Sequence, residues 1–105
     1  MAKGIMVVAS SPADGREDEY NEWYTHEHIP ALLSVPGFVS ARRFRVHGSP
    51  EGHKYLAIYE LEADDLATPV AALRARDTPD RASGAEVLAA DRPAQVTIYE
   101  QIAYE

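Results

Sequence analysis

The spacing of apolar and polar residues changes repeatedly along this chain, and the changes mark its elements. Gly4 to Ser10 is short, β-branched and apolar on both parities, the pattern of a central strand. Ser11 to Arg16 holds proline, aspartate and glycine and predicts a loop. Glu17, Asp18 and Glu19 then place acids where the positive end of a helix dipole favours them. The helix is expected to run to about His28. Pro30 has no N–H for the carbonyl of His26, its ring crowds that turn, and it biases Ile29 away from the α region. Pro30 can instead start a second short helix over Ala31 to Ser34, before a turn at Val35-Pro36-Gly37.

Phe38 to His47 predicts a strand with Phe38, Ser40, Arg42, Phe44 and Val46 on one face. Gly48 to Gly52 is a loop and Lys54 to Leu61 the next strand, so the two read as an antiparallel hairpin. Ala63 to Asp77 is helical in pattern, with Thr68 and Pro69 placed to cap and start its main segment. A further helical turn is expected near Ala85 to Ala90. Ala94 to Tyr104 alternates Val96, Ile98, Ile102 and Tyr104 against Gln95, Thr97, Tyr99 and Gln101, a long last strand. The order β-α-β-β-α-β is the ferredoxin-like plan, an α+β fold with an antiparallel sheet and helices on one face. Its other face would be partly apolar, with Val39 and Ala41 on it, and such a face calls for a partner.

Composition narrows the classes. The 105 residues bound a single domain, 1–105. A net charge of −7 argues against nucleic acid and anionic membrane as partners, since phosphate binding needs a basic surface. Arg42, Arg43 and Arg45 form a local basic patch on this acidic chain. The absence of cysteine removes disulfides, thiolate catalysis and cysteine metal sites. No window approaches a membrane span, and the N-terminus reads as a strand rather than a signal peptide, so the cytoplasm is the expected location.

Candidate chemistry concentrates where the first helix meets Pro30. At about 100° per residue, Tyr20, Trp23, Tyr24 and Glu27 share one stripe, His28 lies at its edge, and His26 points to solvent. Glu27 on an apolar face is either paired or snorkelling, or a carboxyl with a raised pKa. His28 is either a cap for a carbonyl freed by Pro30 or one half of an acid/base pair with Glu27. The aromatic trio is either core or the wall of a ligand site. Arg42, on the face of Phe38 and Phe44, must be paired if buried; it could meet Glu27, or hold a carboxylate or developing oxyanion. Arg43 and Arg45 have the opposite parity and read as rim or dimer charges. Tyr59 and Tyr99 are candidate pocket hydroxyls, and Phe44 a further apolar contact. His26 and His28 diverge by about 200° on a helix and cannot share a metal. His47 and His53 flank the hairpin loop and could meet, without a supporting carboxylate. No dinucleotide, P-loop or nucleophile-elbow motif occurs. No metal or organic cofactor is implied.

The stretch WYTHEHIPALLSVPGFVSARRF resembles the EthD-like members of the dimeric α/β-barrel superfamily, named for a protein of ethyl tert-butyl ether degradation. The resemblance rests on Trp23, on His28 before Ile29-Pro30, and on the Pro36-Gly37-Phe38 turn into a strand. It implies a ferredoxin-like protomer whose sheet packs on its twin, and a pocket between sheet and helices. It implies functions ranging from cofactor-free dehydratases, cyclases, isomerases, lyases and monooxygenases to accessory proteins. His28 matches the position usually given an acid/base role. Many relatives carry a second histidine nearer the tryptophan; here Thr25 and His26 follow Trp23-Tyr24.

Together these readings predict a homodimeric, cofactor-independent enzyme of lyase or isomerase type, working by proton transfer on a hydrophobic carbonyl or phenolic compound. His28 would be the acid or base, with Glu27 orienting it or sharing the proton. Arg42 and a tyrosine would stabilise an enolate or carboxylate, and Trp23, Tyr24, Tyr20, Phe44, Tyr59 and Tyr99 would line the substrate site. The alternatives are a non-catalytic carrier of a hydrophobic intermediate and a cofactor-independent oxygenase.

Overall fold

The computed structural model describes residues 1–48, 52–76, 84 and 86–102. Four strands, β1 (Ala2–Ser10), β2 (Phe38–Arg45), β3 (Tyr55–Ala63) and β4 (Gln95–Glu100), form one antiparallel sheet in the order β2-β3-β1-β4. The first crossover is helical: α1 (Glu17–Trp23), a π-helical turn (Tyr24–His28) and α2 (Ile29–Leu33). The second carries α3 (Ala67–Ala75). This is the expected ferredoxin-like protomer.

Alternation along the strands sorts the two sheet faces. Met6, Val8 and Ser10 of β1 and Tyr55, Ala57, Tyr59 and Leu61 of β3 are buried beneath the helices. Ile5, Val7 and Ala9 and their neighbours Leu56, Ile58 and Glu60 point the other way and are half-buried. Aromatic rings dominate the core: Tyr20 lies 5.1 Å from Tyr55 and 5.5 Å from Tyr24, centroid to centroid. Such tilted pairs add about 0.5–1.5 kcal/mol each beyond the area they bury.

Two local features depart from the expected pattern. The helix does not break before Pro30. Ile29 keeps αR angles (φ −59°, ψ −49°), and its N–H bonds to the carbonyl of Tyr24, five residues back. Widening the turn by one residue moves the preceding carbonyls away from the proline ring, which relieves the clash an α-turn would impose. The first crossover thus runs from Glu17 to Leu33 as one helical rod.

The second departure is a β-bulge. Phe38 pairs with Leu61 but Ser40 pairs with Glu60, so Val39 is an extra residue. One inserted residue inverts the side-chain parity of everything after it. Ala41, Arg43 and Arg45 therefore face the helices opposite Tyr59, Ala57 and Tyr55, while Ser40, Arg42 and Phe44 face the open side. Ala41, expected on the open face, packs against the core instead.

Smaller expectations hold in part. Gly37 makes the predicted turn with φ +99°, and a Cβ there would lie 2.7 Å from Cβ of Pro69 on α3. Of the turn expected near 85–90, residues 86 and 87 are helical, with 84 before them, whereas Leu88 forms a bridge with Pro12 and 89–90 leave the helix; Val87 is buried, and position 85 lies outside the described residues. Val87 and Ala89 reach the loop after β1 through Ala13 N–H to Val87 O and Ala89 N–H to Ser11 O. The predicted hairpin loop and the last strand extend partly into positions 49–51 and 103–105, outside the described residues.

Candidate functional site

A cavity of about 450 Å³ opens between the helical face of the sheet and the helices. Its floor is Met6, Val8 and Val96 from the sheet. Trp23, Tyr24 and His28 project into it from the helical rod, and Leu73 from α3. Ser10, Arg74 and Arg76 add polar groups to the wall. The apolar part far exceeds the polar part, the usual balance in a small-molecule site.

The π turn aims His28 at this cavity. The turn closes through an i→i+5 hydrogen bond, which winds it more loosely than an α-turn, and the imidazole stacks on the Trp23 indole at 4.5 Å with planes 22° apart. It also meets the edge of Tyr24 at 5.0 Å. The same geometry removes Glu27. On an α-helix Glu27 would sit one turn above Trp23; on the wider turn it is exposed, and it does not line the cavity. The expected His28–Glu27 pair is not formed on the apolar face. His26 is exposed as expected, 3.7 Å from Glu22.

Arg42 is displaced by the bulge. It lies on the open face, largely exposed, 3.6 Å from Glu60. Arg43 takes the buried-side position instead. Its guanidinium sits 4.5 Å from the Tyr24 ring centre, 5.3 Å from Tyr55 and 5.5 Å from Tyr20. It donates to Asn21 Oδ1 at 2.9 Å and to Thr25 Oγ1 at 3.4 Å. Three aromatic faces and an amide replace the water this cation gives up.

Behind the cavity wall lies a chain of phenols. Tyr59, fully buried, donates to Tyr24 Oη at 3.1 Å. Burial pushes the Tyr24 phenol up to about 12, against the pull of its Tyr59 hydrogen bond. Tyr59 is raised further, by burial and by its neighbour Tyr24. Tyr20 shares a 2.5 Å hydrogen bond with Ser10, and burial raises it as well, against that bond and nearby Arg43. All three are neutral donors at physiological pH. Tyr20 and Tyr59 do not reach the cavity; they hold Tyr24 and Ser10, which do.

Phe44 and Tyr99 lie elsewhere. Both belong to the open sheet face, 44% and 54% exposed, Tyr99 beside Ile5. His53 does not meet His47 but bridges Ser11 Oγ and Pro93 O at 3.0 Å each, tying the hairpin to the approach to β4. Among the described residues no three His, Cys, Asp or Glu side chains gather as a metal-binding group. No helix among them is long and apolar enough to cross a membrane.

Sequence reasoning missed Ser10, Arg74, Arg76 and Gly84. Ser10 shares the parity of Met6 and Val8, and that signal was available. Arg76 is a cavity residue because it crosses to α2, donating to Ala31 O at 3.0 Å and Ser34 Oγ at 2.5 Å. Gly84 lies so close to the Trp23 ring that a Cβ would overlap it. Only the folded chain brings those pairs together.

Comparison with solved structures places the fold. An ethyl tert-butyl ether degradation (EthD) family protein from Bacillus halodurans C-125 superposes with a TM-score of 0.57 at 22% identity, covering 97% of this chain and 100% of that one. SnoaB, a cofactor-independent oxygenase from Streptomyces nogalater, gives a TM-score of 0.64 at 16% identity over 100% and 96%. A dimeric ferredoxin-like protein of unknown function from Jannaschia sp. CCS1 gives 0.61 at 19% identity over 91% and 96%. No curated protein matches the sequence. A family model described as a domain of unknown function, DUF4286, matches residues 7–68, from within β1 to the start of α3. Since that match spans more than half of the chain, the protein belongs to the DUF4286 family, and it carries that family's domain on the ferredoxin-like fold it shares with EthD-like proteins.

Proposed function

We propose that this protein is a cofactor-independent enzyme that moves a proton on a hydrophobic carbonyl or phenolic compound bound between sheet and helices. The observation that carries this reading is His28. A π turn, a fold feature that often marks functional sites, holds its imidazole against Trp23 at the wall of an apolar cavity. His28 takes or returns the proton, the Trp23 and Tyr24 rings flank the substrate, and Tyr24 donates from a neutral phenol backed by Tyr59. Glu27 and Arg42 have no part in this version, because neither lines the cavity. The reaction class is dehydration, enolisation-driven isomerisation or lyase-type cleavage. The working unit is a homodimer joined through the open sheet faces, supported by the exposed Phe44 and Tyr99 and by the dimeric neighbour. Sedimentation should then give about twice the 11.6 kDa chain mass.

The test needs no foreknowledge of the substrate. Phenolic and carbonyl compounds that perturb the single tryptophan are incubated with protein in heavy water, and carbon-bound hydrogen exchange is followed by NMR. Exchange that wild type catalyses and His28→Gln does not supports the reading. Ligands that bind without exchange or turnover leave a carrier. The similarity to a cofactor-independent oxygenase favours one second reading, in which dioxygen follows the same deprotonation. Substrate-dependent oxygen consumption separates the two.

A further inference from the structure

Among the described residues, the hydroxyls on the cavity wall are those of Ser10 and Tyr24, each residue only 2% exposed. Behind each stands a phenol with no exposed surface, Tyr20 behind Ser10 and Tyr59 behind Tyr24. These buried phenols fix the direction of the hydrogens. Among the described residues Tyr59 has one hydrogen-bond partner, Tyr24 Oη at 3.1 Å. Were it to accept from Tyr24, its own hydrogen would be sealed in the core without an acceptor, a loss of about 1–3 kcal/mol. It therefore donates, and the Tyr24 hydrogen is left for the cavity. Tyr20 is in the same position. The acceptor within its reach among the described residues is Ser10 Oγ at 2.5 Å, while Arg43, lying against the same phenol, has only hydrogens to offer. Tyr20 thus donates to Ser10, and the Ser10 hydrogen is turned toward the cavity as well. Neither of these two hydrogens meets an acceptor among the described residues.

We infer that the cavity selects a carbonyl compound over a phenol, with Ser10 joining Tyr24 as a hydroxyl that donates to ligand oxygen. This rests on the reading of the cavity as a ligand site beside His28, and it narrows the substrate class of that site. A carbonyl oxygen brings two lone pairs and no hydrogen, which suits a wall whose hydroxyl hydrogens point outward. A phenol is a weaker acceptor and brings a hydrogen that needs an acceptor of its own. The same donors serve the proton transfer. When His28 takes a proton from the carbon next to the carbonyl, the C–H electron pair becomes the C=C bond of an enolate. The carbonyl π pair then moves onto oxygen, where hydroxyl hydrogens already turned toward it stabilise the charge without reorganising. Ser10 is in this account a binding residue, and Tyr20, which does not reach the cavity, positions its hydrogen.

The experiment uses three probes: 2-acetylnaphthalene, 2-isopropenylnaphthalene, which has the same outline with CH2 in place of the oxygen, and 2-naphthol. Each is titrated into the 15N-labelled protein while the indole N–H resonance of the single tryptophan, Trp23, is followed. The infrared carbonyl stretch of the bound ketone, labelled with 13C, is recorded as well. The expected result is that the ketone binds more tightly than naphthol and that its carbonyl stretch lies below its position in a hydrocarbon solvent. The ratio of ketone to alkene affinity should fall about tenfold in Ser10→Ala and in Tyr24→Phe, with alkene binding unchanged. Should a variant fail to fold, the carbonyl frequency in the wild type decides by itself. An unshifted carbonyl stretch, a ratio that survives both substitutions, or tighter binding of naphthol than of the ketone would overturn the inference and leave the ligand site standing. If no probe moves the Trp23 signal, the ligand-site reading falls, and the inference with it.

Discussion

Trp23 and His28 stack with ring centres 4.5 Å apart, although five residues separate them. On a regular α-helix residues at that spacing point about 140° apart. The π turn closes that angle and converts a histidine at the edge of a helix stripe into part of a cavity wall. Pro30 supplies the physical cause, since its ring is accommodated by opening the same turn.

His28→Ala should lower the rate of catalysed exchange or turnover by roughly 10²–10⁴-fold, the usual share of a positioned acid or base. Stability should fall by about 0.5–1.5 kcal/mol, from the lost ring contact with Trp23. His26→Ala, on an exposed side chain, should change neither quantity measurably. Rates and urea midpoints on both variants decide the matter: equal activity of wild type and His28→Ala would remove the catalytic role.

The bulge at Val39 makes a contrast between adjacent arginines. Arg43→Met should cost about 1–2 kcal/mol through its lost contacts with three aromatic faces. Arg42→Met should stay within about 0.5 kcal/mol, because its pair with Glu60 is largely exposed. Urea denaturation of the two variants checks this. The reverse order would mean that alternation continues unbroken through Val39.

Gly84→Ala should destabilise by roughly 1–3 kcal/mol, as overpacking against a fixed ring does. The added methyl overlaps the Trp23 indole, so Trp23 emission should shift in the same variant. Replacing Trp23 by Phe in the Gly84→Ala background should recover part of the loss, because the six-membered edge that collides is then absent. An unchanged midpoint and emission would mean the segment does not pack on Trp23.

Alkali should unfold the protein through its buried phenols. The folded state holds the Tyr24 proton up to about 12, above the ordinary 10.0, and Tyr59 is shifted the same way. A folded pKa above the unfolded one contributes stability that is fully present below pH 10.0 and is lost as pH rises toward about 12. Melting temperature should therefore fall steeply across that window, and Tyr24→Phe should flatten the slope. Tyrosinate absorbance that rises fully near pH 10 while the fold persists would contradict the burial argument.

Much of the fold was legible because burial is written into spacing. Tyr55, Ala57, Tyr59 and Leu61 alternate with Leu56, Ile58, Glu60 and Glu62, and a half-covered antiparallel strand needs nothing more to declare its faces. Gly37 beside Pro36 marked the turn because only a residue without a side chain fits at φ +99° against Pro69. Trp23, Tyr24 and His28 were recognisable as a group from the crowding of aromatic and titratable residues before a proline.

Where a single residue changes the count, the pattern could not be extrapolated. Val39 occupies a place in β2 without a partner of its own, and from there Arg42 and Arg43 exchange faces. The π turn likewise exchanges Glu27 for His28. Both insertions are settled by what lies across the fold: the register β3 imposes on β2, and the room a proline ring needs inside a helix. By itself the sequence determined the element order, the ferredoxin-like topology and the neighbourhood of the site, because these follow from local periodicity and from proline and glycine. Tertiary structure alone decided which arginine enters the aromatic cage, which titratable group faces the cavity, that Arg74 and Arg76 join its wall, and that Gly84 packs on the Trp23 ring. Those outcomes depend on contacts between residues tens of positions apart, whose register no local pattern encodes.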